Sequence, residues 1–149
     1  MKIMAVDYGD ARTGLAVCDR TEFLAPPIGT IEERNAKLLA MKVAHMAKQY
    51  EVGEIVVGLP VNMNGSYGPR AEKCRSFADM LNELADVPVN MWDERSTTVI
   101  AHRILNETNV RGKDRKAVID TVAATVILEG YLEYRRKNKK DGEKAPEQT

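Results

Sequence analysis

The segment IMAVDYGDARTGLAVC, residues 3–18, decides the fold. Four apolar residues run without interruption to Asp7, and a continuous apolar run is typical of a central strand that is covered on both faces. Gly9 lies in the turn that follows, and residues 13–18 form a second apolar run. The segment therefore predicts a hairpin of two strands, with an acid at the end of the first.

The rest of the chain alternates strands with helices. Pro26 and Pro27 interrupt a third predicted strand over residues 23–31, so it is expected at a sheet edge or at a bulge. Apolar spacing predicts further strands over 54–59 and 87–94, and helices over 35–50, 69–85, 97–106 and 114–136. This order predicts the α/β class: a mixed five-stranded sheet, its first three strands antiparallel, with helices on both faces.

Length and composition are typical of one soluble globular domain. The 149 residues are 44% hydrophobic and 30% charged, so we expect one domain over residues 1–138 and a disordered basic and polar tail over residues 139–149. No apolar run approaches the ~20 residues that span a bilayer, and residues 1–7 resemble a strand more than a signal peptide. We therefore expect a cytoplasmic protein with no membrane partner and with two buried, reduced cysteines, Cys18 and Cys74.

Three acids stand where burial makes a carboxylate costly. Asp7 ends the most apolar strand, Glu94 ends the predicted fifth strand, and Asp120 precedes an apolar stripe on the last helix. A lone buried carboxylate needs a partner, a metal ion or a shifted pKa. Each acid also has an ordinary explanation, because strand ends favour turn-forming acids and Asp120 has Lys116 one helical turn before it.

If the three acids meet, they form a site for a divalent cation. Two carboxylates about 5 Å apart repel by roughly 3 kcal/mol at an effective dielectric constant near 20, and a cation removes that repulsion. Carboxylate oxygens suit Mg²⁺ or Mn²⁺, which keep sites for water and for phosphate oxygens. Strand alternation does not decide whether Asp93 or Glu94 enters the site, because a strand end can rotate.

Four motifs carry a resemblance to a known family. They are the DYGDARTG stretch of residues 7–14, VGLP at 57–60 followed by Gly65 and Gly68, DERSTT at 93–98, and DTVAATVILEGYL at 120–132. In this order and spacing they resemble the YqgF (RuvX) family of RNase H-like, RuvC-like nucleases, over about residues 2–134. The opening motif alone would be far less specific than the four together.

The resemblance implies an RNase H-like fold and a metal site of Asp7, Glu94 and Asp120, and it favours Glu94 over Asp93. Glycines near a phosphate let the backbone approach closely, and an arginine fork suits phosphate oxygens. Arg12 also has the alternative of capping the hairpin or pairing with Asp10. The residues we expect at the substrate are Gly9, Arg12, Gly14, Asn62, Asn64, Arg95, Lys113 and Arg115.

What the resemblance implies for function is Mg²⁺- or Mn²⁺-dependent hydrolysis of nucleic-acid phosphodiester bonds, in processing of the 5′ end of precursor 16S rRNA. RNA is the favoured substrate and branched DNA the alternative, by analogy with junction resolvases, and the chain is expected to be a monomer or a homodimer. A second hypothesis is a non-catalytic nucleic-acid-binding factor in transcription or ribosome assembly, which the zero net charge disfavours. A third, an ATP-using relative of sugar kinases, is disfavoured because 149 residues leave no room for two such domains.

Overall fold

A computed structural model describes residues 1–19, 27–60, 66–93 and 122–137. Within these ranges the strands are β1 (Ile3–Asp7), β2 (Arg12–Val17), β3 (Pro27–Glu32), β4 (Glu54–Leu59) and β5 (Val89–Asp93). The helices are α1 (Ala36–Gln49), α2 (Pro69–Leu84) and a helix over residues 122–137. Asn35 caps α1 by accepting a hydrogen bond from the backbone N–H of Leu38, and Pro69 begins α2.

The five strands form one mixed sheet in the order β3-β2-β1-β4-β5. β1 pairs antiparallel with β2 and parallel with β4, and β4 pairs parallel with β5. β3 lies at the edge, and its register with β2 shifts between Leu15 and Ala16. Since β1, β4 and β5 all run the same way, Asp7, Leu59 and Asp93 finish at one end of the sheet, which we call the Asp7 end.

Two apolar layers cover the sheet. On one face Met4, Val6 and Phe77 belong to a buried cluster that α1 and α2 complete. On the other face Ile3 and Ala5 pack against buried residues of the 122–137 helix, including Ala124, Ile127, Leu128 and Leu132. The alternation along β1 explains this division, because successive strand side chains point to opposite faces.

The predicted α/β class, the five-stranded mixed sheet and the helices on both faces are confirmed. β2 begins one residue earlier than predicted and ends at Val17, so Cys18 lies just beyond it. Cys18 and Cys74 are buried thiols that form no disulfide. The predicted helix over 97–106 and the tail over 139–149 lie outside the described residues. Among the helices described here, none is long and apolar enough to cross a membrane.

Candidate active site

Asp7 ends β1 in a partly buried position with glycine beside it on both neighbouring strands. Its partner on β2 is Gly14. On the other side Val6 pairs with Val57, so Gly58 is the next position of β4 alongside Asp7. Glycine has no side chain above the sheet, so no side chain from either neighbouring position obstructs access to the Asp7 carboxylate. A ligand can therefore approach that carboxylate closely.

The face on which Asp7 lies follows from its neighbours in β1. Ile3 and Ala5 pack toward the 122–137 helix, and Asp7 continues their alternation on that face. Asp120 precedes this helix in the chain, although its own position falls outside the described residues. The face of the sheet that bears Asp7 is thus the face that the 122–137 helix covers.

The turn after Asp7 is held in one conformation. A Cβ added to Gly9 would stand 1.9 Å from the carbonyl oxygen of Arg12, so only glycine fits there. The Gly9 N–H donates to the Thr13 hydroxyl at 3.3 Å. Thr13 is fully buried, and this bond satisfies its oxygen in the core.

Arg70, in the first turn of α2, anchors the same turn from outside. Its guanidinium donates a hydrogen bond to the carbonyl oxygen of Tyr8, lies 5.6 Å from the centre of the Tyr8 ring, and pairs with Asp10 at 3.5 Å. Lys73, one turn later, reaches the same Asp10 oxygen at 3.5 Å. The Tyr8 ring stacks on the buried Phe77 with 4.6 Å between ring centres. The backbone next to Asp7 is therefore fastened to α2.

Arg12 starts β2 and forms its ion pair with Glu32 of β3, with 3.6 Å between Nε and Oε1. The alternative pairing of Arg12 with Asp10 is wrong, because Arg70 and Lys73 take that carboxylate. One guanidinium nitrogen of Arg12, Nη1, is buried and has no hydrogen-bond partner in the described part of the chain. Arg12 therefore links β2 to the edge strand β3 through its ion pair, and its Nη1 donates no hydrogen bond within the described residues.

Asp93 ends β5 as the partner of Leu59 and is exposed. Val89 and Met91 pack against the α1–α2 layer, and Asp93 continues their alternation, whereas Trp92 packs on the opposite face. Asp93 is thus on the face that Asp7 does not share. This placement disfavours Asp93 as a second ligand of a metal ion bound by Asp7.

A buried polar cluster fastens the 122–137 helix to the sheet. Glu54, 6% exposed at the start of β4, accepts hydrogen bonds from Asn90 at 2.8 Å and from the Tyr131 hydroxyl, and pairs with Arg135 at 3.3 Å. Burial, together with the hydrogen bond to Glu54, raises the pKa of Tyr131 to about 12. The cluster lies at the end of the sheet opposite Asp7, where β4 begins, and sets how the helix lies across the sheet.

The structure thus describes four of the predicted site residues: Asp7, Gly9, Arg12 and Gly14. They lie together at the Asp7 end, around one turn. The others fall outside the described residues: Asn62, Asn64, Glu94, Arg95, Lys113, Arg115 and Asp120. Within the described ranges no three His, Cys, Asp or Glu side chains come close enough to hold a metal ion. A carboxylate flanked by glycines at a strand end nevertheless fits the donor chemistry of Mg²⁺ or Mn²⁺.

Sequence reasoning missed Arg70 and Lys73. The available signal was the position of Arg70 directly after Pro69, in the first turn of a predicted helix. The helix dipole favours acids there, so a cation at that position needs another reason.

Comparisons with known proteins bear on the family and the fold of this chain. The family model described as RuvX, Holliday junction resolvase, matches residues 1–134. This chain belongs to the RuvX family. A relative from Halothermothrix orenii, provisionally named as a pre-16S rRNA nuclease, is 47% identical over 92% of this chain and 98% of its own length. A relative of the same name from Ruminiclostridium cellulolyticum is 38% identical over 94% and 99%.

Solved structures show that the RuvX chain shares the fold of junction resolvases. Thermus thermophilus RuvC in complex with a Holliday junction matches with a TM-score of 0.57 at 13% identity, over 91% of this chain and 96% of that one. The fowlpox virus resolvase in complex with junction DNA matches with a TM-score of 0.54 at 15% identity, over 90% and 98%. The predicted RNase H-like fold and the predicted family are both confirmed.

Proposed function

We propose that this RuvX chain is a divalent-metal-dependent nuclease that hydrolyses phosphodiester bonds at the 5′ end of precursor 16S rRNA. Asp7, Glu94 and Asp120 hold the metal in this proposal. The observation that carries it is the placement of Asp7, between two glycine positions at the end of a central strand. The curated names of the relatives supply the RNA substrate.

The sheet register supports Glu94 as the second ligand. Gly58, beside Asp7, pairs in turn with Trp92 of β5, so a row across the sheet runs from Asp7 over a glycine to Trp92. Trp92 lies on the face that Asp7 shares. If the alternation continues beyond Asp93, Glu94 would share that face, whereas Asp93 lies on the other.

Asp7, Glu94 and Asp120 would hold a Mg²⁺ or Mn²⁺ ion, which would supply an activated water molecule and charge stabilisation at the leaving oxygen. The chain's own residues orient the substrate. Arg12, beside the turn after Asp7, is partly exposed, and its guanidinium suits a phosphate oxygen. Gly9 and Gly14 have no side chains, so the nucleic-acid strand can approach the backbone closely at both positions. The fastened turn keeps Asp7 in place without reorganisation during the reaction.

The experiment is cleavage of a precursor 16S rRNA fragment in Mn²⁺, with Asp93→Asn as the matched control for Asp7→Asn. Each substitution removes one negative charge at the same end of the sheet, on opposite faces. We expect Asp7→Asn and Glu94→Gln to lower the cleavage rate by about a hundredfold or more, since loss of a metal ligand removes several kcal/mol of transition-state stabilisation. Asp93→Asn should keep most of the activity. Full activity in Asp7→Asn, with folding confirmed by circular dichroism, would refute the proposal.

Holliday junction cleavage is the second candidate, because the family description and two solved relatives of the same fold refer to junctions. The same protein preparation is incubated with a four-way DNA junction and with the rRNA fragment. Faster cleavage of the junction, with the same dependence on Asp7, would favour this candidate over rRNA processing.

A further inference from the structure

A cleft lined by charged side chains lies beside the Asp7 turn, at the end of the sheet where α1 and α2 begin. The turn of residues 9–12, residues 32–34 ahead of α1, and Arg70 of α2 line it. Lys73 stands next to it, in an adjoining depression that shares Asp10 and Arg34. We call this surface the Arg34 cleft. The family motifs of this chain include its wall of residues 9–12, but they do not include Arg34, Arg70 or Lys73.

The charged side chains of the Arg34 cleft differ in whether they form ion pairs. Arg70 and Lys73 share the single carboxylate of Asp10. Glu33 is occupied by Lys42 at 2.8 Å, and that hydrogen bond lowers the pKa of Glu33. Arg34 is exposed and forms no ion pair with any residue in the described ranges. Glu32 pairs with Arg12, and Glu72 in the adjoining depression pairs with Arg75. The lining has as many acids as bases, but Lys42 and Arg75, which lie outside it, also pair with its acids, so the positive charge of Arg34 remains available.

The positions of the arginines relative to the helices strengthen this imbalance. β3 runs parallel to β1, so α1, which follows it, begins at the Asp7 end, and α2 begins there as well. Arg34 directly precedes the N-cap Asn35, and α1 has no acid in its first turn. Arg70 lies in the first turn of α2. The partial positive charge of a helix N-terminus repels a cation, so both arginines stand where a bound anion would stabilise them.

The cleft is also adjacent to the proposed reaction centre. Gly9 is two positions after Asp7 in the chain, so their Cα atoms lie within about 8 Å of each other. A nucleic-acid strand whose scissile phosphate lies at Asp7 can pass its next phosphates over the turn and into the cleft. Arg12, whose side chain is 27% exposed, lies in the cleft wall.

We propose that the Arg34 cleft binds the phosphates that flank the scissile bond, with Arg34 and Lys73 contacting the backbone of the bound strand. This inference rests on the proposed nuclease function and adds a path for the substrate across the α1–α2 side. Phosphate contacts of this kind position a strand without reading its sequence.

Binding is tested separately from cleavage, with a fluorescein-labelled single-stranded RNA in EDTA, followed by fluorescence anisotropy. We expect the double variant Arg34→Gln, Lys73→Gln to weaken binding about tenfold, since hydrogen bonds to charged groups are lost. The slope of log K against log salt concentration should become shallower by about 0.7 for each lost contact with a single strand. Lys48→Gln removes one charge from the far end of α1 and should change neither quantity.

Asp10→Asn gives a test of opposite sign. It releases Arg70 and Lys73 from their shared carboxylate, so RNA should bind more tightly, by a few-fold.

The proposal is overturned if the double variant binds like Lys48→Gln, or if the wild-type protein does not bind RNA in EDTA. It is equally overturned if inorganic phosphate, at the same phosphate concentration, displaces the RNA, because the cleft then serves free phosphate. Loss of cleavage in Asp7→Asn tests the nuclease proposal alone.

Discussion

Gly9 is the residue at which the backbone beside Asp7 tolerates least change. A Cβ there would stand 1.9 Å from the Arg12 carbonyl oxygen, which is backbone and cannot rotate away. Gly9→Ala must therefore displace the turn, and we expect a loss of about 1–3 kcal/mol in the free energy of unfolding, the usual cost of overpacking. Urea denaturation measures this loss, and the cleavage rate should fall with it because Asp7 moves.

Gly53→Ala is the control for that substitution. Its Cβ would overlap the side chain of Met1, at 2.7 Å, and would meet the Lys2 carbonyl oxygen at an ordinary 3.9 Å; the flexible end of a methionine can move aside. We expect Gly53→Ala to cost less than Gly9→Ala and to leave cleavage unchanged. Equal losses of stability in the two variants would show that the Asp7 turn is not specially constrained.

Single residues also show where sequence reasoning ends. The position of Asp7 at the end of β1, and of glycine in the turn after it, could be predicted, because the motif and the end of an apolar run mark both. The partner of Arg12 was not, since Asp10 is two residues away and Glu32 is twenty. Only the antiparallel pairing of β2 with β3 brings Glu32 opposite Arg12. The anchoring of Tyr8 by Arg70 likewise joins residues far apart in the chain.

Among the elements, the 122–137 helix is held on the sheet by the polar cluster around Glu54. Tyr131 is 9% exposed and donates to Glu54, whereas Tyr134, on the same helix, is 47% exposed. Tyr131→Phe removes a buried hydrogen bond to a carboxylate, so we expect a loss of about 1.5–3 kcal/mol in the free energy of unfolding. Tyr134→Phe is the matched control and should cost much less. Urea denaturation at neutral pH compares the two, and similar values would contradict the assigned role of the cluster.

The same cluster predicts a dependence on alkaline pH. The pKa of Tyr131 is raised from 10.0 to about 12, so the folded state holds this proton more tightly than the unfolded state. Its contribution to stability is therefore complete below pH 10 and is lost as the pH rises toward about 12. Wild-type stability should fall more steeply over this interval than that of Tyr131→Phe. Parallel pH profiles of urea denaturation would contradict the prediction.

The elements themselves were largely predictable from apolar periodicity. The bounds of β1 and β4 are as predicted, and α1 and α2 differ from their predicted ranges by a residue at one or both ends. Pro27 does stand in an edge strand, as a residue without an N–H requires. β5 begins at Val89 rather than residue 87, because pairing with β4 starts only at Ile55 opposite Val89.

At the scale of the whole molecule, the topology converts sequence order into a site. Strand order β1-β4-β5 brings the ends of two segments that are more than forty residues from Asp7 in the chain to the Asp7 end of the sheet. The sequence alone left Asp93 and Glu94 open, because alternation needs a known face as its reference. The packing of Met91 and Trp92 on opposite faces supplies that reference. The positions of Glu94 and Asp120 relative to Asp7 stay predictions.

A metal ion held by Asp7, Glu94 and Asp120 would join the two ends of the chain, so its binding should stabilise the whole fold. A ligand that binds only the folded state adds about 2.7 kcal/mol at a hundred times its Kd. We therefore expect Mn²⁺ to raise the Tm of the wild-type protein and of Asp93→Asn, and to have little effect on Asp7→Asn or Asp120→Asn. Differential scanning fluorimetry with and without Mn²⁺ measures this difference. If Mn²⁺ raised the Tm of Asp7→Asn as much as that of the wild type, the ion would be bound elsewhere, and the three carboxylates would need another explanation.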